Sequence, residues 1–136
     1  MYIWDGAFAE CYKLTKINFS KESKLQEIGP RVFRNCKALE SIILPDSVES
    51  IGIYAFVNCE NLIDIKMSKN LNSLGYQAFS NCTNLEEIIL PRNLKQVGGE
   101  IFNNCYKLRI YCEIESLPST WSENWNATNR PVTWGY

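Results

Sequence analysis

The 136-residue chain contains no histidine. That absence excludes Ser-His-Asp hydrolysis, Cys-His proteolysis and most zinc sites together. Charge of one sign is also lacking: 14 basic side chains face 15 acidic ones, without the basic footprint of a nucleic-acid binder. No apolar run approaches the roughly 20 residues needed to span a bilayer. The longest, such as Ile42-Ile43-Leu44, are strand-sized, so no membrane insertion is expected and the chain reads as soluble. Met1, Tyr2, Ile3, Trp4 and Asp5 carry neither the basic nor the apolar region of a signal peptide. There is no C-x-x-C pair and no glycine-rich phosphate loop, which leaves zinc knuckles, thioredoxin-like sites and nucleotide cradles without support. No nucleophile, base and orienting group can be assembled. The expectation is a non-enzyme with no catalytic residue, no metal and no cofactor.

What is present is a repeat. Apolar residues make up 46 % of the chain, enough for one domain with a real core. Phe8, Phe33, Phe56, Phe79 and Phe102 are spaced by 25, 23, 23 and 23 residues. Each is followed three residues later by a cysteine (Cys11, Cys36, Cys59, Cys82, Cys105) and three further on by a leucine (Leu14, Leu39, Leu62, Leu85, Leu108). Four units then add Ile17, Ile42, Ile65 and Ile88. Equal spacing assigns the cysteines one equivalent position per unit, where a free thiol behaves as a small hydrophobe; a bridge involving Cys112 is the alternative. The first unit is two residues longer around Lys21-Glu22-Ser23, and the fifth is one shorter at Leu108-Arg109-Ile110-Tyr111-Cys112.

The period converts into geometry. Ile42 and Leu44 alternate as a half-buried strand does, and Pro45 ends the pairing. A second short apolar pair follows in each unit (Val48 with Ile51, Leu71 with Leu74, Leu94 with Val97). It closes on Gly52, Gly75 and Gly98, where a positive φ is expected. Ala55, Phe56 and Cys59 fall on one face of a helical turn, α or 3₁₀. Asn35, Asn58, Asn81 and Asn104, each just before the cysteine, suit a left-handed conformation or a bond to loop backbone. No single unit can bury its apolar side chains, but stacked neighbours can.

The recurring Ile-Gly-x-x-Ala-Phe-x-x-Cys-x-x-Leu-x-x-Ile-x-Leu-Pro resembles the BspA-like class of leucine-rich repeats, most closely over residues 45 to 91 and in all over about 4 to 117. Position nine of the general leucine-rich consensus is here Ser47, Asn70 or Asn93, and a ladder of the cysteines and asparagines is the expected replacement for the usual asparagine ladder. The resemblance implies an α/β solenoid: a right-handed superhelix with a concave parallel β-sheet and short helical turns. It implies bacterial or protist proteins at the cell surface or outside the cell, used in adhesion and binding without catalysis.

On this frame residues 1 to 112 form a solenoid of about five units and 113 to 136 an aromatic-rich C-terminal cap, holding Trp121, Trp125, Trp134 and Tyr136. The N-terminus, entering at Ile3-Trp4-Asp5-Gly6-Ala7-Phe8, has no comparable cap, and its open edge fits either a truncated array or a self-association surface. Two outward rows can be read off the strands. One is Lys16, Ser41, Asp64, Glu87 and Arg109; the other is Asn18, Ile43, Lys66, Ile89 and Tyr111. Apolar residues rimmed by charge mark a protein-binding face, set against the β-propensity of isoleucine and tyrosine on any exposed strand. Asp64 beside Glu87 suggests an acid–base pair or a calcium site only until Lys16, Lys66 and Arg109 are counted, which make a mixed-charge face. The leading expectation is a protein-interaction or adhesion module working through these ten residues, with host or cell-surface proteins as partners. The alternatives are a glycan-binding module using the C-terminal tryptophans and a spacer from a longer surface protein. Of the sequons at Asn18, Asn81 and Asn126, only the last reads as a surface loop.

Overall fold

The computed structural model describes residues 1–136 and winds them into about six coils carrying eleven short strands. One parallel sheet takes the first short strand of each of the first five coils: β1 (Tyr2–Ile3), β3 (Glu27–Ile28), β5 (Ser50–Ile51), β7 (Ser73–Leu74) and β9 (Gln96–Val97), in that order. The second runs β2 (Lys16–Ile17), β4 (Ser41–Ile43), β6 (Asp64–Lys66), β8 (Glu87–Leu90), β10 (Arg109–Cys112) and β11 (Val132–Trp134). Every strand pairs with its equivalent one coil away, as in Ser41 opposite Asp64 and Ile42 opposite Ile65. The inward residues of both sheets meet in one continuous core.

The third wall holds no helix, contrary to the α/β expectation. Its alternate N–H groups point sideways: Arg31, Phe33 and Asn35 donate to the carbonyls of Ile53, Ala55 and Val57 in the next coil. A donor spent laterally cannot close a helical turn. The backbone also enters the left-handed region every fourth residue, at Arg31 and Asn35, Tyr54 and Asn58, Gln77 and Asn81, Glu100 and Asn104, which breaks any helical run. The asparagines therefore stand as expected, and they do more. Asn58 Nδ2 donates to Asn35 Oδ1, Asn81 to Asn58 and Asn104 to Asn81, each at 2.7 Å.

Inside this wall the phenylalanines stack. Phe33, Phe56 and Phe79 are 5.1 Å apart, with Phe8 and Phe102 at 5.6 and 5.9 Å from their neighbours. The thiols of Cys36, Cys59, Cys82 and Cys105 donate to the carbonyls of Phe8, Phe33, Phe56 and Phe79, one coil back. All six cysteines are free, and all but Cys11 are buried. At position nine Asn70 and Asn93 donate to the Asp46 and Lys69 carbonyls, and Ser47 to that of Ser23. Side-chain bonds thus tie successive coils at several points of each unit.

Gly52, Gly75 and Gly98 do not have positive φ; among glycines only Gly6 and Gly135 do. Their role is close approach. A Cβ on Gly52 would lie 2.5 Å from the Pro30 nitrogen, and one on Gly98 2.6 Å from the Tyr76 nitrogen, with Gly75 similarly pressed on Ile53. Backbone cannot rotate aside as a side chain can. Gly75→Ala is expected to cost about 1–3 kcal/mol as an overpacking change, read as a lower urea midpoint. An unchanged midpoint would mean that the coils separate freely at this corner.

The C-terminal tail forms the sixth coil. Trp125, 23 residues after Phe102, takes the phenylalanine position and packs edge-on against Phe102 at 6.4 Å. Thr128, 23 residues after Cys105, donates its hydroxyl to the Phe102 carbonyl, the bond a cysteine makes elsewhere. The amides of Glu100 and Ile101 donate to the carbonyls of Asn124 and Trp125. Strand β11 then covers β10, Ile110 opposite Val132.

Candidate functional site: the outer face of the six-stranded sheet

Strand alternation decides which side chains reach this face. In β6 and β8 the middle isoleucines, Ile65 and Ile88, are buried, so Asp64, Lys66, Glu87 and Ile89 point outward. The register aligns Lys16, Ser41, Asp64, Glu87 and Arg109 across five strands. In the adjoining row Ile43 lies opposite Lys66, and Ile89 opposite Tyr111; Asn18 is exposed just beyond β2. The structure therefore brings all ten residues read from the sequence onto one face, with Ser41 and Tyr111 half-buried. Ile43 is 63 % exposed and Ile89 43 %, with Lys66 on the strand between.

None of the charged residues in these rows is engaged in an ion pair. The four ion pairs of the chain lie elsewhere: Asp5–Arg31, Glu10–Arg34, Lys37–Glu60 and Asp46–Lys69. Asp64 and Glu87 are direct cross-strand neighbours of like sign, an arrangement that costs stability. The basic residues Lys16 and Arg109 stand at the two ends of the same row. Nowhere do three or more cysteine, aspartate or glutamate side chains form a group that could hold a metal ion.

Two hollows open along this face where the loops rise from the strands. One of about 390 Å³ is lined by Asp64, Lys66, Met67, Lys69, Glu87, Ile89, Pro91 and Glu113. The other, of about 560 Å³, is lined by residues that include Lys16, Asn18, Phe19, Ser41, Ile43 and Asp46. Asp64 borders both. The sequence reading missed the loop contributors Met67, Lys69, Pro91 and Glu113, because period-two alternation says nothing about loops. It also missed Tyr136, whose ring lies 4.7 Å from Tyr111 and covers part of it.

The tryptophans are placed differently from a sugar platform. Trp121 and Trp125 are each 5 % exposed, 5.0 Å apart and part of the core. Trp134 packs on both at 6.1 Å. Trp121 also donates its ring N–H to the Leu94 carbonyl. Two of the three indoles have no face to offer a ligand. The Asn126 sequon is likewise committed: its amide both donates to the Arg130 carbonyl and accepts from the Arg130 N–H.

The buried thiols of Cys36, Cys59, Cys82 and Cys112 are not reactive groups. Burial pushes the Cys36 thiol up to about 11 and that of Cys112 to about 12. It raises Cys59 and Cys82 as well. A neutral buried thiol is neither a nucleophile nor a metal ligand.

Residues 1–124 match the BspA type leucine rich repeat region, in six copies. Among solved structures the chain is similar to a leucine rich repeat protein of T. pallidum, at 29 % identity with a TM-score of 0.77, over 81 % of this chain and 51 % of that one. It is also similar to a leucine-rich repeat protein from Bacteroides ovatus, at 36 % identity with a TM-score of 0.76, over 89 % of this chain and 30 % of that one. A leucine rich cell surface protein from Faecalibacterium prausnitzii matches at 28 % identity with a TM-score of 0.71, over 89 % of this chain and 31 % of that one. The chain thus spans about half the length of the first and under a third of the other two. No curated protein matches it. Sequence, stacked coils and neighbours agree: the chain belongs to the BspA type leucine-rich repeat family.

Proposed function

We propose that the chain is a non-catalytic protein-binding or adhesion module, working at the cell surface, and that its partner docks on the outer face of the six-stranded sheet. In the right-handed, concave-sheet form that the family resemblance implies, this face would cup a partner. The observation that carries the reading is the exposure of Ile43 and Ile89 in one row, beside charges that no internal partner neutralises. Apolar anchors inside a polar rim are the usual anatomy of a protein interface. The charge order fits a partner bearing basic groups opposite Asp64 and Glu87 and acidic groups toward Lys16 and Arg109, which favours correct encounter over wrong partners. The cell-surface setting has a parallel in the Faecalibacterium prausnitzii neighbour, described as a cell surface protein.

The test compares the wild-type chain with an Ile43→Glu/Ile89→Glu variant in capture from cell-surface and extracellular extracts. A third form, Ile53→Glu, carries the same change at an exposed site on another wall. Both altered side chains of the double variant are exposed, so its melt should match wild type. A partner held by wild type and Ile53→Glu, and held at least tenfold more weakly by the double variant, is the expected result. Equal capture by all three would overturn this choice of face.

A further inference from the structure

We propose that the partner approaches with a cationic polypeptide segment, and that a belt of carboxylates at the entry edge of the six-stranded sheet receives it. This rests on the docking face proposed above and adds Glu40, Ile63 and Glu86 to the residues that work there. The backbone aligns these three just ahead of the strands: the Ile63 N–H donates to the Glu40 carbonyl, and the Glu86 N–H to that of Ile63. Beside them, in the next row, stand Ser41, Asp64 and Glu87. Glu40, Asp64, Glu86 and Glu87 are all exposed, and none is in an ion pair. Over the second, third and fourth coils these two rows therefore hold four carboxylates and no cation. Basic side chains stop at the borders. Lys16 and Arg109 lie in the coils beyond, Lys66 lies further along its own strand, and Lys37 is taken by Glu60.

The spread of the charges and their setting decide the class of occupant. No three of these carboxylates form a group that could hold a metal ion. Paired strands lie ~4.8 Å apart, which sets Glu40 and Glu86 roughly 10 Å from each other across two coils. Such a belt suits several cationic groups set apart on one segment. In its middle Ile63 is 48 % exposed. On the strand side, Ile89, Met67 and Pro91 line the hollow that Asp64 and Glu87 border. A small cation gains nothing from this apolar surface. A polypeptide does, because lysine and arginine lay their apolar stems on it and carry apolar neighbours to Ile63 and Ile89. The repulsion between Asp64 and its cross-strand neighbour Glu87 burdens only the free chain. A cation placed between them in the complex removes it, so the bound state gains on the free one. Unpaired charge of one sign also steers an oppositely charged partner during encounter.

The test is fluorescence anisotropy of the 136-residue chain with two labelled peptides of equal length, one repeating Lys-Leu-Ser and the other Glu-Leu-Ser. The lysine peptide should bind and the glutamate peptide should not. A Glu40→Gln/Glu86→Gln variant should hold the lysine peptide roughly five- to tenfold more weakly, the effect of two lost surface charge pairs. Glu49→Gln/Glu123→Gln makes the same change in net charge at exposed sites on other walls and should bind as wild type does. All four side chains are exposed, so the melts of both variants should match that of wild type. Raising the salt until the Debye length falls from about 10 Å to about 3 Å should weaken wild type more than Glu40→Gln/Glu86→Gln. No binding of the lysine peptide would overturn the proposal. So would Glu40→Gln/Glu86→Gln weakening it no more than Glu49→Gln/Glu123→Gln, which would trace the attraction to net charge alone. Either failure spares the docking face if capture still depends on Ile43 and Ile89, and rejects only the cationic segment.

Discussion

Phe56→Ala is expected to destabilise the chain by about 3–5 kcal/mol, the range for emptying a buried aromatic site. Phe56 is fully buried and lies 5.1 Å from a stacked ring on each side. The cavity cannot collapse easily. The flanking backbone is held by lateral hydrogen bonds, Phe33 N–H to Ala55 C=O and Phe56 N–H to Ala78 C=O, and the coil spacing is set by strand pairing at both sheets. Because a solenoid is stabilised by contacts between neighbours, a gap in its middle also weakens the coupling of the two halves. The urea transition should move to lower concentration and become shallower. Phe8→Ala provides the internal comparison: Phe8 is 42 % exposed and stacks on one side only, so its loss should cost about 1 kcal/mol. Similar costs at both positions would mean that the stack does not hold the coils together.

The same layer logic separates what could be read in the residues from what could not. The outward rows were legible because strands have period two and the repeat has a fixed length. Those two facts alone align Lys16, Ser41, Asp64, Glu87 and Arg109 in the observed register. The third wall was misread because the spacing of Ala55, Phe56 and Cys59 suits either a helical turn or a laterally bonded edge. What decides is a left-handed residue at Tyr54 and its equivalents Arg31, Gln77 and Glu100. Four unlike side chains at that position leave no compositional trace, whereas the asparagines at the next such position do. The repeating glycines pointed to a constraint and concealed its kind, since close approach and positive φ both demand glycine. The sixth coil was hidden by substitution: tryptophan replaces phenylalanine at Trp125 and threonine replaces cysteine at Thr128. Each preserves the function of the residue it replaces, filling the stack or donating to the Phe102 carbonyl. A 23-residue offset from Phe102 and Cys105 was the available signal.

That replacement of cysteine by threonine supplies the control for the other large effect, a loss of stability in alkali. The thiols of Cys36, Cys59 and Cys82 are buried and donate to phenylalanine carbonyls, a bond that only the protonated form can make. Cys112 is buried without such a partner. Burial raises all four in the folded chain, Cys36 to about 11 and Cys112 to about 12, from an ordinary value of 9.0. Below pH 9 the thiols are protonated in both states and the stability they support is complete. Above pH 9 the unfolded chain loses protons that the folded chain retains, so stability falls as pH rises toward the folded values. Each thiol contributes up to about 1.4 kcal/mol per pH unit, or roughly 5 kcal/mol for the four at pH 10, a large part of the ~5–15 kcal/mol that holds a typical domain together. Urea melts at pH 8 and pH 10 should therefore differ by several kcal/mol. In a Cys59→Thr/Cys82→Thr chain the hydroxyls keep the carbonyl bond, as Thr128 does, yet do not titrate, and about half of the difference should disappear. If the double variant is as alkali-sensitive as wild type, the effect comes from the tyrosines and lysines instead, and the cysteine ladder is indifferent to pH.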